Sequence, residues 1–143
     1  MKYSNKLSDG VHILAYVEIY SDGDLSSAAI ANSIESNPSL IRRMMSRLKK
    51  AGLLSSQPGV VAPKLGRPAD QISLLDIYRA LEDNPNLLHV DEKTNLQCIV
   101  GGNIQETLTD IYQKIQTDAE KSMSQVTLQS IIDDILVREG QKK

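Results

Sequence analysis

Between residues 36 and 69 the chain carries Arg42, Arg43, Arg47, Lys49, Lys50, Lys64 and Arg67 and not one Asp or Glu. Unopposed, clustered cations raise the local potential for phosphate, so the chemistry open to this run is recognition of a polyanion. Arginine adds a second capacity. Its planar fork can donate two parallel hydrogen bonds to the edge of a guanine, worth about 1–3 kcal/mol of discrimination between bases. Arg42 and Arg43 are the candidates for that role, and Ser39 could bond a base or a phosphate. Lys49, Lys50 and Lys64 are candidates for phosphate oxygens, which would add affinity and salt dependence without sequence information. Ser26 and Ser27, at the start of a short helix, could offer backbone N–H groups to a phosphate. Ser46 and Gln57 complete the candidate set. A charge run alone fits a solvated face as well as a binding face.

Cys98 is the single cysteine, which excludes an intramolecular disulfide. It lies a few residues before a long helical pattern, whose dipole could lower the thiol pKa. Oxidation, or pairing with Cys98 of a second copy, is the chemistry it could supply. The plain alternative is a small buried hydrophobe between Leu96 and Ile99. His12 and His89 have no neighbouring ligand set. No H-x-x-x-H, C-x-x-C or paired acid signature occurs, so the sequence points to no metal site, no catalytic constellation and no enzyme. Asp133-Asp134 reads as an exposed helix edge, and Gly101-Gly102 as the entry to a helix.

The chain has 143 residues, 41% of them hydrophobic, with no Trp and no Phe. Its core must therefore come from aliphatic residues and from Tyr3, Tyr16, Tyr20, Tyr78 and Tyr112. Residues 1–70 hold nine Lys/Arg against six Asp/Glu, and residues 71–143 hold seven against twelve. Opposite signs in the two parts suggest two jobs. Lys6, Asp9, His12 and Glu18 interrupt any signal-peptide-like run, and no stretch is apolar for the length of a bilayer. A cytoplasmic protein without membrane contact is expected.

The elements that must position these groups follow from periodicity. Leu7, Val11, Leu14, Ala15 and Val17 predict a first helix over 7–20. Gly10 inside it costs about 1 kcal/mol relative to Ala and marks either a close helix contact or a later start. Ser26 caps a second helix over 27–34, where Ala28, Ala29 and Ala31 permit close packing. Asn37-Pro38 opens a third over 37–51, with Asn as cap and Pro in the first turn. Ile41, Met44, Met45 and Leu48 form its apolar stripe, and Gly52 stops it. Residues 35–37 between the two helices match a helix-turn-helix. Residues 53–57 and 61–65 can pair as a hairpin about Pro58-Gly59, with Pro63 confining the second strand to an edge. Ser73 with Asp76 predicts a capping box for a helix to about residue 82, and Asn103 with Glu106 predicts another. Ile104, Leu108, Ile111, Tyr112, Ile115, Ala119 and Met123 then mark one face of a helix for over five turns. That face is too long to hide under a small domain and predicts a second copy packed upon it. Ile104, Leu108, Ile111, Tyr112, Ile115 and Met123 are the candidate dimer interface. A final short helix is expected over 127–137.

Two stretches carry a resemblance. They are Pro38-Ser39-Leu40-Ile41-Arg42-Arg43-Met44-Met45-Ser46-Arg47-Leu48-Lys49-Lys50-Ala51-Gly52-Leu53 and the more specific Ile72-Ser73-Leu74-Leu75-Asp76-Ile77-Tyr78-Arg79-Ala80-Leu81-Glu82. With them the chain resembles, over nearly its whole length, the Rrf-two-type bacterial winged-helix transcription regulators, the family of IscR, NsrR and CymR. Arg42-Arg43, Pro58-Gly59-Val60 and Gln97-Cys98-Ile99-Val100-Gly101 point within it to the YwnA-like sub-group. The resemblance implies a mainly α fold with a small β wing. A winged helix-turn-helix domain over 1–83 would be followed by a linker over 84–102 holding the sensor candidate Cys98. A dimerisation helix and a terminal helix would fill 103–143. It implies a homodimer, usually a repressor, on double-stranded DNA with a partly palindromic operator, modulated by a redox or small-molecule signal. Two departures carry weight. Iron–sulfur members have three cysteines before the long helix, and with Cys98 alone no such cluster is expected as a cofactor. They also have Glu where this chain has Arg42, which exchanges a cytosine-type acceptor for a guanine-type donor. The wing lacks the common Gly-Gly-Tyr. A winged-helix interaction module without DNA readout is the rival reading.

Overall fold

A computed structural model describes residues 4–56 and 62–142. Tyr3, Gln57 and the hairpin tip at Pro58-Gly59 lie outside these residues. Three helices come first: α1 (Lys6–Ile19), α2 (Ser27–Ile34) and α3 (Pro38–Lys50). Strands β1 (Leu54–Ser55) and β2 (Lys64–Leu65) follow, then a one-turn helix over Ala69–Gln71. The chain ends in α4 (Leu74–Leu81), α5 (Ile104–Ser124) and α6 (Leu128–Gln141).

The local signals work as the residues predict. Ser26 Oγ accepts from Ala29 N and caps α2. Asn37 Oδ1 accepts from Leu40 N at 2.8 Å and caps α3. Between them Glu35 takes the left-handed conformation, φ 60°, and Ser36 N reaches back to Ala31 O at 2.9 Å. Gly52 ends α3 at φ 79°, where its lack of a Cβ removes the strain. The next residue, Leu53, donates to Leu48 O at 2.9 Å. Ser73 and Asp76 form both bonds of the capping box at 3.0 and 2.9 Å.

Among the described residues the hairpin pairs Leu54 with Leu65 and Ser55 with Lys64. In that register Pro63 falls opposite Ser56 and has no N–H to extend the ladder. The second capping box does not form. Asn103 instead donates its amide to Ile99 O at 2.7 Å. In the preceding turn Asn103 N, the donor that Glu106 would serve, and Ile104 N both donate to Val100 O. The final helix runs to Gln141, four residues beyond the expected end, with no helix breaker before Gly140.

One core joins these parts. It includes Ile13, Leu14 and Val17 of α1, Ile41 and Leu48 of α3, Ile77 and Leu81 of α4, and Leu128 and Ile132 of α6. The last two arrive because the chain entering α6 pairs with the chain entering α4: Leu74 N donates to Val126 O and Leu128 N to Ile72 O, each at 2.8 Å. Of the tyrosines, Tyr78 is buried, whereas Tyr20 is exposed and rests its ring on Tyr16 at 4.7 Å between centroids. Of the three alanines in α2, Ala31 is buried and Ala28 is exposed.

Candidate nucleic-acid interface

Burying Ile41, Met44 and Leu48 fixes the rotation of α3 about its axis. At about 100° per residue, Ser39, Arg42, Arg43, Ser46, Lys49 and Lys50 then fall within about 120° of one another on the opposite side. All six are exposed. The sequence-predicted face is therefore one surface carrying four cations and two hydroxyls. Lys64, exposed on β2 beside Ser55, adds a cation from the wing.

A cavity of about 470 Å³ separates α3 from the hairpin and the start of α2, lined in part by Ser26, Ser27, Arg42, Ser46, Lys49 and Pro63. Arg42 Nη1 donates to Ser27 Oγ at 3.2 Å across its edge. Ser26 faces the same opening, but its hydroxyl is engaged in capping α2. Asp24 fixes this corner. Its carboxylate accepts from Ser26 N at 3.0 Å, and these bonds with Ser26 hold the Asp24 carboxyl below its usual pKa. The sequence reads residues 21–24 as a turn, and the structure adds the bond by which Asp24 ties that turn to the start of α2.

The other two cations of the island are committed elsewhere. Arg47 pairs with Asp83 at 3.0 Å, and Lys6 meets the other oxygen of the same carboxylate at 2.6 Å. The Lys6 hydrogen bond, with the charge of Arg47 beside it, lowers the Asp83 pKa. Arg67 pairs with Asp76 at 3.5 Å and donates to Gln71 O at 3.2 Å. Asp83 thus clamps α1, α3 and the end of α4 together. Among the described residues Arg42, Arg43, Lys49, Lys50 and Lys64 make no ion pair, so the acid-free run sorts itself into structural and available cations.

Cys98 is exposed rather than buried. It sits in a tight knuckle in which Cys98 N donates to Asn95 O and Gly102 N to Cys98 O. Backbone N–H groups of Gly101 and then Val100 stabilise the thiolate and lower its pKa, so the local turn does what the sequence assigned to the long helix. Leu96, Ile99 and Val100 beside it are 69%, 88% and 65% exposed.

Two glutamines strap the linker to α5. Gln116 accepts from Leu87 N and donates to Pro85 O, and Gln105 donates to Glu92 O and Thr94 Oγ1. Between the straps a cavity of about 350 Å³ opens beside Leu88, His89, Tyr112 and Gln113. On the adjoining face of α5, Ile111 and Ile115 are 48% and 44% exposed, with Ile104, Leu108, Tyr112 and Met123 half-buried. Arg79 of α4 reaches Glu120 of α5 at 2.8 Å.

A helix-turn-helix with a basic, hydroxyl-bearing second helix and a two-stranded wing beside it defines the winged helix-turn-helix class of DNA-binding proteins. Residues 3–134 match the family model Rrf2, described as iron-dependent transcriptional regulator, and the chain belongs to that family. It is 34% identical over 132 residues to YwnA of Bacillus subtilis, named as a candidate HTH-type transcriptional regulator, covering 92% of this chain and 98% of that one. A solved structure described as a candidate DNA binding protein matches with TM-score 0.72 and 33% identity, covering 89% and 98%. The structure of CymR, the global cysteine regulator of B. subtilis, matches with TM-score 0.67 at 22% identity, covering 93% and 97%, and shares the fold. The protein is a DNA-binding transcription regulator. Within one subunit the described residues offer no ligand set for the iron of the family description. The chain has one cysteine, and among the described residues no three His, Cys, Asp or Glu converge.

Proposed function

We propose that the protein is a cytoplasmic homodimeric repressor, without catalytic activity, that reads a partly palindromic operator. The observation that carries this reading is the exposed face of α3, where Arg42, Arg43, Lys49 and Lys50 stand free of acids. In each subunit α3 enters a major groove. Arg42 and Arg43 meet base edges, while Lys49, Lys50 and Lys64 hold phosphates. Two α5 helices pair through Ile104, Leu108, Ile111, Tyr112, Ile115 and Met123. This supports dimerisation because a half-exposed aliphatic stripe on a 21-residue helix gains from a partner what water withholds.

The two α3 helices must lie about one DNA turn apart, roughly 34 Å, so a small rotation at the α5 pair changes affinity. The linker over 84–102 is the place for a signal. The thiol of Cys98 offers a redox input, and the cavity beside His89 and Tyr112 offers room for a small effector. An iron–sulfur cluster has no place in this reading.

The test is sedimentation velocity with selection of DNA from a random duplex library. The expected result is a dimer that enriches an inverted repeat with half-sites one turn apart. Ile111→Glu with Ile115→Glu is expected to give a folded monomer that enriches nothing. A wild-type monomer, or enrichment of an unrepeated site, contradicts the dimeric reading.

A further inference from the structure

The side chain of Arg42 has a hydrogen-bond partner before any DNA arrives. Its Nη1 donates to Ser27 Oγ at 3.2 Å, and Ser27 is the first residue of α2. This placement needs an explanation, because a guanidinium beside a helix N-terminus meets the positive end of the helix dipole. No carboxylate pairs with Arg42 among the described residues. The acid that precedes α2, Asp24, is committed to Ser26. The Ser27 hydroxyl is thus the side-chain acceptor that Arg42 meets at the mouth of the cavity between α2, α3 and the hairpin.

Ser27 is free for this. The neighbouring Ser26 does the capping, with its oxygen on Ala29 N. One lone pair of the Ser27 oxygen serves Arg42, and its own hydrogen remains available to a phosphate. Arg42 has five N–H donors, so the bond to Ser27 leaves the pair that a guanine edge requires. Fixing a flexible four-torsion side chain in advance lowers the entropy lost on binding, and it does so only for the arrangement that the fixed fork fits.

We infer that Ser27 is a positioning residue for base readout: it orients Arg42, and its effect on DNA binding runs through Arg42 rather than through its own contact with the backbone. The inference rests on the DNA-binding reading above and names which groups set its specificity.

The experiment is a double-mutant cycle with Ser27→Ala, Arg42→Ala, the pair together, and Ser27→Thr. The probe is the duplex that the wild-type protein enriches from a random library. A second duplex has the Arg42-dependent G·C pair exchanged for A·T. Fluorescence anisotropy gives the ratio of the two affinities. Ser27→Ala is expected to lower that ratio about 5-fold, in line with one lost hydrogen bond. It is expected to change nothing once Arg42 is Ala, while Ser27→Thr keeps the wild-type ratio. Circular dichroism should give all four variants the wild-type melting curve, since Ser26 retains the cap. An equal loss of affinity for both duplexes in both Arg42 backgrounds, with the ratio unmoved, would assign Ser27 to the phosphate alone and overturn the inference. So would an unchanged ratio, or tighter binding by Ser27→Ala. A wild-type protein that enriches no duplex removes the DNA-binding reading itself, and with it this inference.

Discussion

Replacing Gly10 with alanine sets helix propensity against packing, and the structure decides which wins. In the middle of α1 an Ala is favoured over Gly by about 1 kcal/mol. A Cβ at residue 10 would collide with Leu81 Cδ1 and lie 3.0 Å from Ile77 Cγ2. Both partners belong to α4 and are buried, Ile77 at 0% and Leu81 at 1% exposed, so any shift of the Leu81 tip must be taken up by the core around it. Forcing a methyl into such a site costs typically 1–3 kcal/mol, and the burial of both neighbours argues for the upper half. The net expectation for Gly10→Ala is a loss of about 1–2 kcal/mol, or a fall of roughly 3–6 °C in melting temperature. Urea denaturation at fixed protein concentration measures it. Trimming Leu81 to Ala first should reverse the sign, because the added Cβ then fills space. A Gly10→Ala protein about 1 kcal/mol more stable than wild type would refute the close α1–α4 contact.

Glu35 offers a change in the other direction. It holds φ 60° at the turn between α2 and α3; a left-handed non-glycine costs about 1–2 kcal/mol, against about 0.5–1 for the extra freedom of Gly. Glu35→Gly should raise the urea midpoint by about 0.5–1 kcal/mol worth of stability, and an unchanged midpoint would contradict the strained turn. The lowered Cys98 pKa favours the thiolate, so alkylation by iodoacetamide should reach half its maximal rate at a lower pH than for glutathione. A profile superimposing on that of glutathione would show that Gly101 and Val100 do not stabilise the thiolate. Lys49, Lys50 and Lys64 of two subunits should engage about six phosphates, for a slope of log affinity on log salt near −5. Lys49→Gln with Lys50→Gln should leave a slope near −2, whereas Arg47→Gln should leave it unchanged, because Arg47 is held by Asp83.

The parts of the fold legible from residues alone were those set by local chemistry. Asn37-Pro38 and Ser73 with Asp76 name their helix starts because a cap needs only its own side chain and the next turn. The stripe of Ile41, Met44 and Leu48 fixed the face of α3, and with it the candidate DNA-binding surface. Asn103 with Glu106 has the same spelling as a true box, but the turn over 95–102 already takes Asn103 N, the donor that Glu106 would serve, through Val100 O. No local pattern reports that. Nor does any local pattern distinguish Arg47 and Arg67 from the cations beside them, because their partners, Asp83 and Asp76, are brought by the tertiary fold. The residues around Cys98 left its exposure open, since apolar Leu96 and Ile99 fit a buried thiol as well as an exposed one, and both stand in solvent.

The central claim is that α3 reads base sequence through Arg42 and Arg43. Its most direct test is fluorescence anisotropy of the wild type and of Arg42→Ala with Arg43→Ala, on the selected duplex and on a scrambled duplex of equal length. The wild type is expected to prefer the selected duplex by about 10³-fold or more. The double variant is expected to bind both duplexes alike, with a weak affinity that still falls steeply with salt. A double variant that keeps the wild-type preference would contradict the assignment of sequence readout to this face of α3.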